Sequence, residues 1–176
     1  MYKGPHRKFN RRRRGKLSEF GLQLTEKQKL RKLYSIREKT LKTYYSRASE
    51  KRLDVGMFLI KELEGRLDNA LYRLGWAQTR TQGSQMVNHG HILVNKRRVT
   101  IPSYQVKKND EIEVKENKKK MHLFRNLDAK LAKQTVPPWL SFISNDKMKA
   151  KIIGEIAKTD FNEPINLSLV LEFYSR

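Results

Sequence analysis

Asp68, His89 and His91 are the side chains with the most obvious capacity for chemistry, and the run Lys147-Met148-Lys149 is the next place to look. Two histidines one residue apart can share a metal. No cysteine or carboxylate cluster accompanies His89 and His91 to supply a third and fourth ligand, so no metal is expected. Asp68 falls on an amphipathic run, where a salt bridge or a helix hydrogen bond is the ordinary role of a carboxylate. Lys147-Met148-Lys149 has no nucleotide-binding motif beside it. No Ser-His-Asp set, paired-carboxylate site or glycine-rich phosphate loop is present, so neither catalysis nor a cofactor or small-molecule substrate is expected.

Positive charge is what the chain holds in quantity. Its 176 residues include 39 Lys and Arg against 18 Asp and Glu, a formal net charge of +21. A compact protein repels itself at that charge unless a polyanion neutralises it. No apolar run approaches the roughly 18 residues of a membrane span, which leaves nucleic acid as the expected partner and no membrane. Cysteine is absent, which excludes a zinc ribbon and a disulfide framework.

The elements that must position these charges follow from periodicity. Residues 1–16 carry Lys3, Arg7, Lys8, Arg11, Arg12, Arg13, Arg14 and Lys16 without an acid, which predicts a basic arm that orders on RNA. Thr25 with Gln28 and Ser35 with Glu38 have the spacing of capping boxes. Leu41, Tyr44, Tyr45 and Ala48, then Val55, Phe58, Leu59 and Leu63, recur at helical spacing, so the first third reads as a helical unit. Its outward face is expected to hold Lys27, Lys29, Arg31, Lys32, Lys39 and Lys42. Tyr34, Tyr44, Tyr45 and Tyr72 lie among leucines and are expected in the core rather than stacked on bases.

A second stripe, Leu67, Ala70, Leu71 and Leu74, ends at Gly75. Thr79 and Gln82 open another helix that stops at Gly90. The period then changes: residues 91–95, 98–101 and 111–115 read as short strands, with turns at Asn95-Lys96 and Lys108-Asn109-Asp110. Two helices followed by a small antiparallel sheet make an α+β module of about fifty residues. Its polar edge is predicted to offer Arg66, Arg73, Thr79, Arg80, Gln85, Asn88, His89, His91, Lys96, Arg97 and Arg98 to RNA. Beyond it, a helix over 116–135 is expected, stopped by Pro137-Pro138. A strand pair over 139–143 and 148–156 should turn at Ser144-Asn145-Asp146. The tail 167–174 fits a strand or, with Asn166 as cap, a helix.

The stretch 65–116, GRLDNALYRLGWAQTRTQGSQMVNHGHILVNKRRVTIPSYQVKKNDEIEVKE, resembles the S-four RNA-binding domain. KLSEFGLQLTEKQKLRKLYSIREKTLKTYY at 16–45, VPPWL at 136–140 and the terminal EFYSR resemble the small-subunit ribosomal protein S-four family, in that family's order. The resemblance implies a helical domain over 17–64, completed by the tail 165–176, with the S-four region 65–164 inserted between them behind the arm 1–16. It tips the tail toward a helix. It further implies a structural, non-catalytic protein that binds small-subunit ribosomal RNA early in assembly, contacts ribosomal protein S-five and contributes to decoding accuracy. The ribosome would be that of a bacterial cytoplasm or of an organelle.

Three departures from the family pattern stand out: a short N-terminal segment without cysteines, Lys96 where glycine usually follows the hairpin Asn, and Gly83-Ser84 in place of the usual basic residue. Gly65-Arg66-Leu67-Asp68 also resembles the start of the pseudouridine synthase signature, but Asn69-Ala70-Leu71-Tyr72 follows instead of that family's Thr or Ser and Gly-Leu.

Overall fold

The computed structural model describes residues 17–50, 54–119, 135–143 and 146–175, together with Met121, Phe124 and Leu131. The expected arm over 1–16 lies outside the described residues, as do Ser144, Asn145 and most of the helix expected over 116–135. Glu116–Lys118 forms a 3-10 turn.

Three helices come first: α1 (Glu19–Leu33), α2 (Glu38–Glu50) and α3 (Val55–Glu64). Helix α1 starts ahead of the Thr25 box, because Ser18 caps it by accepting from the Gly21 N–H at 3.2 Å. Thr25 sits inside the helix and donates back to the Gly21 carbonyl at 2.7 Å. Ser35 also differs from expectation. It adopts a φ of 52°, and the N–H groups of Ser35 and Ile36 bond to the Lys32 and Arg31 carbonyls. That is a left-handed stop for α1, sealed by buried Ile36, rather than a cap for α2.

Helices α4 (Leu67–Arg73) and α5 (Arg80–Asn88) follow, separated by Gly75 at φ 75° and ended by Gly90 at φ 67°. Thr79 caps α5 as the spacing predicted, accepting from the Gln82 N–H at 3.1 Å. Gly83 has a packing reason. A Cβ there would lie 2.4 Å from the Asp68 carbonyl oxygen, so α4 and α5 cross too closely for any side chain. Gly83→Ala should therefore destabilise by about 1–3 kcal/mol through overpacking, despite alanine's advantage of about 1 kcal/mol in a helix. A lower urea midpoint checks it; a higher one would show that the crossing can spread without penalty.

Strands β1 (Ile92–Val94), β2 (Arg97–Arg98), β3 (Glu111–Val114), β4 (Leu140–Ile143) and β5 (Asp146–Ile152) form one antiparallel sheet in the order β2-β1-β3-β5-β4. Asn95 and Lys96 take φ values of 50° and 64°, so the primed hairpin turn forms without glycine. Asn95 secures it: its Nδ2 donates to Asp110 at 2.8 Å and its Oδ1 accepts from the Glu111 N–H at 3.0 Å. Strand β2 is shorter than expected. After it the chain turns back, and the Pro102 and Tyr104 carbonyls accept from the free N–H groups of Asp68 and Leu67 at the start of α4.

The tail is a helix, α6 (Leu167–Ser175), with Asn166 accepting from the Leu169 N–H at 3.4 Å. It returns to α1, where Phe20 and Phe173 pack with ring centroids 5.6 Å apart. Two apolar cores result. One gathers Leu30, Tyr34, Leu41, Tyr44, Leu59, Leu63 and Val170; the other gathers Leu67, Leu71, Leu74, Trp76, Met86, Ile92, Ile112, Val114, Trp139 and Ile152. The protein is thus an α+β structure with a small five-stranded antiparallel sheet packed by helices.

Candidate nucleic-acid interface

Three arginines expected on an exposed edge face inward. The Arg66 guanidinium is paired in two places with Asp68, at 3.0 and 2.7 Å, and donates to the Tyr44 hydroxyl at 3.3 Å. Arg73 grips Glu64 at 2.9 and 2.6 Å and reaches Glu163 at 3.0 Å. Arg80 bonds to Asn69 at 2.7 Å and to Glu163 at 2.5 Å, with its guanidinium 4.3 Å from the Tyr34 ring and 4.4 Å from the Tyr72 ring. Lys27 is likewise buried, 2.8 Å from Glu38 and 4.0 Å from the centre of the Phe173 ring. Carboxylates in direct contact supply the counter-charge that makes this burial tolerable, Asp68 from two residues away and Glu163 from across the chain.

The same geometry decides the role of Asp68. Burial pushes its carboxyl above the usual 3.8, while the two Arg66 bonds pull it back. Both of its oxygens are occupied by Arg66, the arrangement of a structural ion pair.

Two groups of cations stand outside on defined surfaces. Arg37, just ahead of α2, and Lys39 and Arg47 on it line a groove of about 710 Å3. Ser84, Pro102, Ser103 and Gln105 of the sheet-bearing core form its other wall, and Tyr44 and Arg66 also line it. Lys96, Arg97 and Arg98 stand exposed on the β1–β2 hairpin. The Arg98 side chain lies over Gly90, where a Cβ would come within 2.1 Å of its Nε. Gln85, Asn88 and His89 are exposed near the end of α5, whereas His91 is buried. Thr79 is exposed, with its hydroxyl committed to the cap. Lys29 is paired with Glu26 at 2.5 Å, Arg31 is half-buried and Lys32 is exposed. Arg7, Lys8, Arg11 to Arg14 and Lys16 lie outside the described residues.

Arg37 and Arg47 were not singled out in the sequence, although a signal existed. Arg37, Thr40, Tyr44 and Arg47 recur at three- and four-residue spacing, and all four line the groove. Among the described residues no group of three or more His, Cys, Asp or Glu could hold a metal ion. No helix among them is long and apolar enough to cross a membrane.

Known families match both parts of the chain. Residues 1–64 match the ribosomal protein S4/S9 N-terminal domain and residues 65–112 match the S4 domain. The small ribosomal subunit protein uS4 of Sulfurihydrogenibium sp. is 45% identical over 164 residues, covering 92% of this chain and 79% of that one. Those of Aquifex aeolicus and Thermus thermophilus are each 42% identical, covering 98% of this chain and 82% of theirs. With both family domains in order and this identity along nearly its whole length, the chain belongs to the small ribosomal subunit protein uS4 family.

Proposed function

We propose that this chain is a structural constituent of the small ribosomal subunit that binds small-subunit ribosomal RNA along the α2 groove and the β1–β2 hairpin. The observation that carries the reading is the separation of its cations. Arg66, Arg73, Arg80 and Lys27 are spent on internal carboxylates. Arg37, Lys39, Arg47 and Lys96 to Arg98 are displayed on two outer surfaces. Folded RNA is recognised largely by shape and phosphate position, which suits two cationic surfaces on a rigid body. Lys32, Gln85, Asn88, His89 and the arm cations Arg7 to Lys16 extend this contact. The units 17–64 with 165–176, and 65–164, act as two halves of one RNA-binding body.

The chain performs no catalysis. It acts early in subunit assembly in a bacterial ribosome, touches ribosomal protein S-five, and contributes to decoding accuracy. An organellar ribosome fits the same chemistry. The test is sedimentation of a cell extract together with binding by the purified chain. Stoichiometric presence in small subunits, and preference for small-subunit over large-subunit ribosomal RNA, are expected. A free pool of the protein without subunit association, or pseudouridine formation that Asp68→Asn abolishes, would replace this reading with that of a free RNA chaperone or a modifying enzyme.

A further inference from the structure

The groove of about 710 Å3 has two unlike walls. Arg37, Lys39 and Arg47 line one of them, and all three are exposed. From Arg37 to Arg47 the chain advances about 15 Å along the helix axis. The opposite wall, Ser84, Pro102, Ser103 and Gln105, carries no charge. Glu62, the one acid among the described residues that line the groove, lies on that side, with its carbonyl accepting from the Gln105 amide at 2.9 Å. Arg66 also lines the groove, but its guanidinium is committed to Asp68 and Tyr44.

The neutral wall offers free hydroxyls on a fixed backbone. Ser103 is exposed, Ser84 is half-buried, and neither hydroxyl has a hydrogen-bond partner among the described residues. Ser84 stands on α5 beside Gly83, which packs against the Asp68 carbonyl. Ser103 lies between Pro102 and Tyr104, whose carbonyls accept from the Asp68 and Leu67 N–H groups at 3.2 and 2.8 Å. Groups held in place before binding lose little freedom when a ligand arrives. A serine hydroxyl both donates and accepts, as a ribose 2′-hydroxyl does. A phosphate only accepts and needs counter-charge, which this wall lacks and Glu62 opposes.

An RNA strand has the same asymmetry, with phosphates along one edge and riboses along the other. We propose that the groove takes one RNA strand lengthwise, its phosphates against Arg37, Lys39 and Arg47 and its 2′-hydroxyls against Ser84 and Ser103. The proposal rests on the RNA-binding reading above and assigns to two uncharged side chains the selection of ribose over deoxyribose. Phosphate contacts alone hold either backbone, so the three cations position the strand and the serines tell which nucleic acid it is.

The experiment transcribes small-subunit ribosomal RNA with sparse 2′-deoxynucleotides, each tagged by a phosphorothioate, and separates the molecules that the full-length chain binds from those it leaves. Iodine cleavage then reads the positions where a missing 2′-hydroxyl impairs binding, with tagged ribonucleotides as the control. The wild type should show a few neighbouring positions of this kind. Replacing both serines, Ser84→Ala with Ser103→Ala, should abolish the sensitivity at those positions and weaken binding of unmodified RNA about fivefold per lost hydrogen bond. The salt slope should not change, because no charge is removed. The positions are read among RNA molecules competing for the same protein, so they do not depend on the folded fraction. If the wild type binds the RNA without any deoxy-sensitive position, or the double variant keeps the same positions, the ribose wall falls and the proposed function stands. If the wild type does not bind that RNA, both fall.

Discussion

Glu64→Gln is expected to cost about 3–5 kcal/mol of folding stability at neutral pH, the usual effect of removing one partner from a buried ion pair. Glu64 is fully buried and accepts from the Tyr34 hydroxyl, from the Asn69 amide at 2.9 Å, and from Arg73 at 2.9 and 2.6 Å. Its partners do not stop there. Arg73 and Arg80 share Glu163, and Arg80 returns to Asn69, so one closed network links α1, α3, α4, α5 and the segment leading to α6. Glutamine keeps the shape and removes the charge, which takes from Arg73 one of its carboxylate partners, leaves it paired with Glu163, and turns an amide N–H toward a donor.

The effect should depend on pH in a defined direction. Burial works against the Glu64 charge, but Arg73, Tyr34 and Asn69 outweigh it and hold its pKa below 4.5. A carboxylate with a depressed pKa contributes stability above its unfolded value and loses it as pH falls toward the folded one. The gap between wild type and Glu64→Gln in urea midpoint should therefore be full at pH 7 and narrow below about pH 4.5. Glu155→Gln provides the contrast. Its pair with Lys61, 3.2 Å long, has side chains 77% and 47% exposed and should be worth less than about 1 kcal/mol. Equal midpoints for the two variants would show that the network is not what joins the two cores.

The elements announced by local chemistry were legible in the sequence. Gly75 and Gly90 stop helices at positive φ, Thr79 caps α5, and the β-branched run around Val94 forms a strand, whereas the residues of the tail fitted a strand or a helix. Each of these signals lies within a few residues of its effect. Ser35 shows the limit of such signals, since a Ser three residues before a Glu reads as a capping box whether or not the preceding helix needs a left-handed stop. The inward arginines show a deeper limit. An arginine has the same fork for a phosphate and for a carboxylate, and Arg73 meets Glu163 across 90 positions of chain. Only folding reveals which acceptor it finds. The groove has the same character, because α2 supplies one wall and residues 84–105 the other.

Affinity for small-subunit ribosomal RNA is expected to fall about a thousandfold or more between roughly 50 and 200 mM salt, the loss typical of roughly 6–10 neutralised phosphates. Arg37, Lys39, Arg47, Lys96, Arg97 and Arg98 supply six exposed cations toward that number before the arm is considered. Arg37→Ala and Arg47→Ala should each reduce the slope of log affinity against log salt by about one. Their melting temperatures should stay close to wild type, because exposed charges contribute little to folding. Arg66→Ala should behave in the opposite way. The residue is 7% exposed and holds Asp68, so its removal lowers the melting temperature first, and affinity falls with the folded fraction. Measuring melting and salt slope on the same samples separates the two classes. An unchanged slope in both the Arg37 and Arg47 variants would remove the groove from the phosphate path and leave the hairpin and arm to carry the RNA.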